Sequence, residues 1–218
     1  MASRARWVLL AVLIVVFGVT IWAAGQPGDV PVTGVQRLGP EAGEPVADYL
    51  LRARASLPAG SRAQWALVQL EGYLTPAPAA GLVQGVRLSR VIIRVPFPRI
   101  QTALISRDLP GQRPVDELTD ALRSAARARA AVASQRGGRA AALAAAEAAQ
   151  LQTGCACVVA LLVFGDGDAL RVVAARPGVR AVHAALPDTP IQDLAISPLL
   201  PEQLERAGPV PDDGPVPP

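Results

Sequence analysis

The strongest hydrophobic pattern in the chain is an uncharged apolar run at residues 7–24. Its 18 residues would form about 27 Å of helix, which nearly spans the hydrocarbon core of a bilayer. Arg4 and Arg6 precede the run, and the next basic residue after it is Arg37. The positive-inside rule therefore predicts a single membrane-spanning helix with residues 1–6 in the cytoplasm and the rest of the chain outside.

A cleaved signal peptide is the alternative interpretation of this segment. Small residues at positions 23–25 follow the apolar run, and two arginines precede it. However, the apolar part of a signal peptide usually has about 7–15 residues, so the longer run favours a retained anchor. Both interpretations place the remaining chain outside the cytoplasm.

Beyond the anchor, segments with helix or strand periodicity predict one domain at residues 44–190. Residues 25–43 contain glycine and proline without a hydrophobic period, and they are predicted to be a linker. Apolar residues recur at helical spacing in residues 45–56 and alternate with polar ones in residues 65–74 and 86–97. The domain is therefore expected to begin with a helix followed by two strands.

The second half of the domain continues this alternation of elements. The predicted elements are a short strand at 101–107, a helix from Val115 to the glycines at 137 and 138, an alanine-rich helix at 139–151, a strand at 157–164, a helix through Ala175 and a strand at 179–184. Every residue of 157–164 is apolar, which predicts a central strand with both faces buried. Residues 191–218 are rich in proline and are predicted to be a disordered tail.

Together these elements predict an α+β domain with helices packed on one sheet. Residues 170–182 carry an apolar helix followed by Pro-Gly-Val-x-x-Val, and they resemble the closing helix and strand of small ferredoxin-like domains. This resemblance implies a two-layer α/β sandwich and carries no activity with it. The layout of the whole chain resembles membrane-anchored actinobacterial proteins of unknown function, and the use of arginine for every basic residue fits a GC-rich genome.

Charge and composition argue against a nucleic-acid partner. The formal net charge is +3, but removing Arg4 and Arg6 from the 21 basic residues leaves 19 against 18 acidic residues. Aromatic residues make up only 4% of the chain. The domain therefore lacks the basic surface and the stacking groups that nucleic-acid binding requires, and its expected partners are the membrane and an envelope protein.

Cys155 and Cys157 are the only cysteines. An oxidising compartment favours a disulfide, but residues two apart in a regular strand have Cα atoms about 6.6 Å apart, near the upper limit for a bridge. A local bridge needs a bend, for which Gly154 is suited, and none is expected without strain if Cys155 already lies in the strand. Buried thiols, a local bridge and an intermolecular bridge remain open, while the Cys-x-Cys spacing does not favour redox chemistry.

The remaining polar candidates have structural interpretations beside the functional ones. The only histidine, His183, falls in the last predicted strand and is expected to have a structural or surface role, not a catalytic one. Asp166 and Asp168 fit a turn and a helix cap better than a calcium loop. A dense group of arginines forms either a solvated strand face or a contact for anionic lipid or cell-wall polymer: Arg87, Arg90, Arg94 and Arg99.

The sequence contains no recognisable catalytic set or cofactor motif. His183 and the two cysteines give three possible metal ligands, whereas a structural zinc needs four. The sequence thus predicts a non-enzymatic, membrane-anchored envelope protein whose extracytoplasmic domain binds or scaffolds another component. The alternatives are an envelope hydrolase or redox accessory, and a binder of anionic lipid or glycan. Converging polar groups in a pocket would favour an enzyme, and an apolar surface would favour a protein partner.

Overall fold

The computed structural model describes residues 34–217. The predicted cytoplasmic tail, the apolar run and residues 25–33 of the predicted linker lie outside these residues. Within 34–217, no helix combines the length and the apolar character needed to cross a membrane. The described part forms one folded unit that begins at Val35.

Five helices and seven strands make up the described residues. The helices are α1 (Val46–Ala55), α2 (Pro76–Gly81), α3 (Pro114–Gln135), α4 (Gly138–Gln152) and α5 (Gly167–Ala174). The strands are β1 (Gln36–Leu38), β2 (Gln64–Leu74), β3 (Arg87–Ile93), β4 (Ile105–Asp108), β5 (Val158–Gly165), β6 (Val179–Ala184) and β7 (Leu194–Ile196), with a 3-10 turn at Ile191–Asp193. The predicted helices at 45–56 and 139–151 and the predicted strands at 65–74, 157–164 and 179–184 are confirmed to within a few residues.

A five-stranded antiparallel sheet forms the centre of the fold, with the strand order β4-β3-β5-β2-β6. The middle strand is β5, and its residues 158–163 are fully buried. This confirms the prediction of a central strand from the uninterrupted apolar run. In β2 the alternation also holds, since Ala66 and Val68 pack on one face of the sheet and Leu67 on the other.

The sheet consists of two interleaved β–α–β units, β2–α2–β3 and β5–α5–β6. Each unit has one strand of the other unit between its own two strands, because β5 lies between β3 and β2, and β2 lies between β5 and β6. In both units the first and second strands run parallel, and the two units run in opposite directions. We call the end where β2 and β3 begin and β5 and β6 finish the entry end, and the opposite end the far end.

One face of the sheet is covered by α2, α3, α4 and α5. The helices α3 and α4 form a hairpin whose alanines allow close packing. Glu147 of α4 is 1% exposed; its carboxylate accepts hydrogen bonds from Arg129 Nε at 2.6 Å and from the Ala103 amide at 2.9 Å. These bonds and the close packing against α3 hold the alanine-rich helix α4 firmly in the fold.

The other face of the sheet is also covered, so the prediction of a two-layer sandwich is wrong on this point. Its apolar residues, such as Leu67 and Leu162, pack against the parallel β1–β7 pair and Leu200. The helix α1 covers the β6 side together with Leu199. A sheet that is apolar on both faces needs this second cover, because burial of apolar area is the main driving force of folding.

The predicted disordered tail at 191–218 is corrected as well, because apolar residues within 191–210 pack onto this second face. Leu199 is fully buried, and its amide donates to Gln69 Oε1 at 3.0 Å. Gln69, also fully buried, donates in turn to the hydroxyl of Tyr49 in α1 at 2.8 Å. A buried amide side chain needs such partners, and the C-terminal segment supplies one of them.

The central position of β5 predicts that Leu161→Asp abolishes the cooperative thermal transition. Leu161 is fully buried, so the substitution places a charge without a partner in the core. Val172→Asp on α5 is the control, since Val172 is 58% exposed and its replacement should change stability by about 0.5 kcal/mol or less. Circular dichroism melts of both variants make the comparison, and an unchanged melt of Leu161→Asp would contradict the central placement of β5.

Candidate functional site

A groove of about 880 Å³ lies at the far end of the sheet. One wall is the loop at 96–99, directly after β3, and the other is the C-terminal segment at 201–211. The walls are mainly apolar, and Leu204 on the second wall is 75% exposed. Five prolines line the groove: Pro96, Pro98, Pro201, Pro209 and Pro211.

Three polar side chains from distant parts of the chain form the floor of the groove. Arg94 is 2% exposed, and its Nη1 donates to Glu202 Oε1 at 2.5 Å and to the hydroxyl of Tyr73. Its Nη2 donates to the carbonyl of Ile100 at 3.1 Å. The Tyr73 hydroxyl donates to Glu202 Oε2 at 3.0 Å. Arg94 and Glu202 thus join the sheet to the C-terminal wall through a charge-assisted hydrogen bond.

Burial keeps the phenol of Tyr73 protonated. Loss of solvent raises the pKa of Tyr73 well above its ordinary value; nearby Arg94 opposes this rise and Glu202 adds to it. Tyr73 therefore acts as a neutral donor toward Glu202. A phenol held in this way positions the carboxylate and does not serve as a base.

The lining of the groove favours binding over covalent chemistry. Among the described residues that line it, none is Ser, Thr, Cys or His, so the lining contains no pairing of a nucleophile with a histidine base. Of its two carboxylates, Glu202 already accepts bonds from Arg94 and Tyr73. Proline offers a carbonyl acceptor without an N–H donor, so the walls accept hydrogen bonds more readily than they donate them.

The four arginines singled out in the sequence do not form one surface. Arg94 is buried in the groove floor, which corrects its assignment as a contact for anionic lipid or polymer. The reason is that the Arg94 side chain lies between the second face of the sheet and the C-terminal segment, which covers it. Arg90 pairs with Asp108 at 2.5 Å, Arg99 pairs with Asp213, and Arg87 lies at the entry end against aromatic rings.

Cys155 and Cys157 are joined by a disulfide with a Cα–Cα distance of 5.3 Å. The strand β5 begins at Val158, so neither cysteine lies in regular strand geometry. The bend follows Gly154, which has a φ of +76°. The bridge lies at the far end, next to β3, where the Cys157 carbonyl accepts from the Arg94 amide at 2.8 Å.

His183 lies in β6, away from the groove. It is 5% exposed, and its Nδ1 accepts a hydrogen bond from the Gly39 amide at 3.0 Å. Gly39 has a φ of +127°, and a Cβ at this position would collide with the carbonyl of Ser197. Burial lowers the pKa of His183 to about 4, and Arg52 adds to this effect. The neutral ring therefore connects β6 to the end of β1, which is a structural role.

The aspartates of the Asp-Gly-Asp turn act locally. Asp166 caps α5, because its Oδ1 accepts from the Ala169 amide at 2.8 Å. Asp168 pairs with Arg171 one turn later. Across residues 34–217, no group of three or more His, Cys, Asp or Glu side chains is arranged to hold a metal ion.

Sequence reasoning missed the groove because its parts are far apart in the chain. Arg94 is 21 residues from Tyr73 and 108 residues from Glu202. One local signal was present: Arg94 interrupts the apolar sequence Val-Ile-Ile-Arg-Val-Pro-Phe at the end of a buried strand. A charge in such a position requires a partner, and so it marks a buried arginine held in an ion pair.

His183 makes stability depend on pH in a defined window. Its pKa is about 4 in the folded chain and 6.5 in its ordinary state, so the unfolded chain binds a proton between these values and the folded chain does not. The stabilisation is complete above pH 6.5 and decreases as the pH falls to 4, by about 3 kcal/mol in total. His183→Asn keeps an acceptor for Gly39 without titrating and is expected to lose this component. Urea unfolding of both proteins across the window tests it, and parallel pH profiles would contradict the assignment.

Comparisons with protein-family models, with curated proteins and with solved structures found no match. No activity is therefore carried over from a relative. The groove and its floor are the features from which a function must be argued.

Proposed function

We propose that the chain is a membrane-anchored binding protein of the cell envelope whose extracytoplasmic groove holds an extended, largely apolar segment of another envelope protein. The anchor and the compartment rest on the apolar run and on the arginines that precede it. The binding role rests on one observation, the proline-lined groove at the far end of the sheet.

The size of the groove supports this role. Its volume of about 880 Å³ lies within the range of about 300–1,000 Å³ that is usual for ligand sites. Such a volume accommodates a short stretch of polypeptide. The groove lies between two irregular segments of the chain, at 96–99 and 201–211, and such walls suit an extended ligand.

The chemistry of the walls indicates what the ligand offers. Phe97, Leu204 and the prolines provide apolar contacts, and the proline carbonyls accept hydrogen bonds from N–H groups. The charged residues at the rim have both signs, with Arg99, Glu205 and Arg206 in the lining. A near-neutral segment with apolar side chains and free backbone N–H groups fits these walls best.

The floor supports binding because it fixes the walls before a ligand arrives. Arg94 is bonded to Glu202 on one wall and to the carbonyl of Ile100 beside the other. Within the second wall, Gln203 accepts from the Leu200 amide at 2.7 Å and donates to the carbonyl of Gly208 at 2.5 Å. A preorganised groove loses less conformational entropy on binding than a flexible one.

We also infer that the domain is a ferredoxin-like sandwich with additions. The inference is supported by the two interleaved β–α–β units and by the order β3-β5-β2-β6 within the sheet. The additions are the edge strand β4, the α3–α4 hairpin and the cover on the second face. This fold serves many functions, so it adds no specific one.

Photocrosslinking tests the groove in the full-length chain within its own membranes. A photoreactive side chain in place of Leu204 is expected to give one discrete protein adduct whose crosslinked peptide is apolar and near-neutral. The matched control is Val172, which is 58% exposed on α5, against 75% for Leu204. The same adduct at both positions, or adducts with lipid alone, would contradict binding of a protein segment in the groove.

A further inference from the structure

The entry end of the sheet carries exposed apolar residues next to the point where the chain enters the fold. Leu186 follows β6 and is 67% exposed, and Val35 precedes β1 and is 65% exposed. The two sites are linked, because the Leu186 amide donates to Gln36 Oε1 at 2.8 Å. The Ala185 amide donates to the carbonyl of Trp65 at 2.7 Å, so Trp65 belongs to the same end.

An aromatic stack with an arginine lies beside these residues. The ring centroids of Trp65 and Phe164 are 4.9 Å apart, and both side chains are partly exposed. The guanidinium of Arg87 is 5.3 Å from the Trp65 ring centre and 5.2 Å from that of Phe164. This cation–π geometry holds the charge at the edge of an apolar surface. Tryptophan and arginine side chains of this kind favour the interface between lipid and water.

The charged side chains at the entry end balance in sign, with Arg62, Arg87 and Arg171 against Asp166, Asp168 and Asp188. Arg62 is exposed and pairs with the equally exposed Asp188. Arg87 makes no ion pair with any residue of the described part of the chain. The two aspartates at the start of α5 have local partners, since Asp166 caps the helix and Asp168 pairs with Arg171. Arg87 is therefore free to meet an anionic headgroup.

The length of chain before Val35 restricts what can meet this surface. Ten residues, 25–34, separate the apolar run from Val35. Even fully extended, they span at most about 35 Å. Such a short tether keeps the entry end close to the membrane that holds the anchor. Weak contacts are therefore sufficient to keep the entry end on the lipid surface.

We propose that the entry end, formed by Val35, Arg62, Trp65, Arg87, Phe164 and Leu186, rests on the surface of the lipid bilayer. Leu186, Val35 and the Trp65 ring enter the interfacial layer, and Arg87 meets an anionic headgroup. The inference rests on the membrane anchor of the proposed function. Its consequence is that the groove, at the opposite end of the sheet, faces away from the bilayer and is open to a partner.

Lipid quenching of a fluorescent label tests the orientation in the full-length chain. Leu186→Cys and Leu204→Cys each receive an environment-sensitive label, and the chain is reconstituted in nanodiscs of phosphatidylcholine and phosphatidylglycerol that contain a quenching lipid. Cys155 and Cys157 do not react, because they are bonded to each other. The two labelled sites have similar exposure but lie at opposite ends of the sheet, so quenching at position 186 is expected to be several-fold stronger.

Arg87→Gln in the Leu186→Cys chain is expected to reduce this quenching, and leaving out phosphatidylglycerol is expected to have the same effect. A thermal melt checks that Arg87→Gln leaves the fold intact. Equal quenching at positions 186 and 204 would overturn the inference, and so would quenching that does not respond to Arg87→Gln. Carbonate extraction separates the two proposals: a chain released by carbonate overturns the anchor and the inference together, whereas a retained chain with equal quenching overturns the inference alone.

Discussion

The central sheet is apolar on both faces, and the rest of the structure depends on covering both. Helices cover the first face, as in many α+β domains. The second face is covered by α1, by the β1–β7 pair and by residues 197–210. These segments come from both ends of the folded unit and are short or irregular. Hydrogen bonds from buried side chains of the sheet therefore hold the C-terminal segment in place. Gln69 and Arg94 provide them: each is buried, and each has a partner in the C-terminal segment.

Local patterns predicted much of this fold. The alternation in β2, the uninterrupted apolar run of β5 and the alanine-rich hairpin each determine their own element, whatever lies elsewhere in the chain. The C-terminal segment was not predictable in this way. Its proline content indicates that it forms no helix or long strand, but it does not indicate whether a distant apolar face needs a cover. Leu199 and Ala207 are buried only because the second face of the sheet lies below them.

The candidate site was hidden for the same reason. Arg94 was grouped with its neighbours Arg87, Arg90 and Arg99 as one run, although the sheet distributes these side chains to different places. For the cysteines, the geometric argument was sound for a strand, but β5 begins one residue after Cys157, and the bend at Gly154 allows the bridge. The two proposals then fit one arrangement. In that proposed arrangement, the entry end rests on the membrane and the groove at the far end is open to the partner.

The claim on which this account depends is that the pair formed by buried Arg94 and partly exposed Glu202 fixes the C-terminal segment and so builds the groove. A double-mutant cycle with Arg94→Met and Glu202→Gln, measured by urea unfolding, tests it most directly. Glu202→Gln alone leaves the Arg94 charge buried without its carboxylate, and the double variant removes that charge. The account predicts that the loss of unfolding free energy in the double variant is smaller than the sum of the losses in the two single variants, by about 1–3 kcal/mol. Effects that add to within about 0.5 kcal/mol would contradict it.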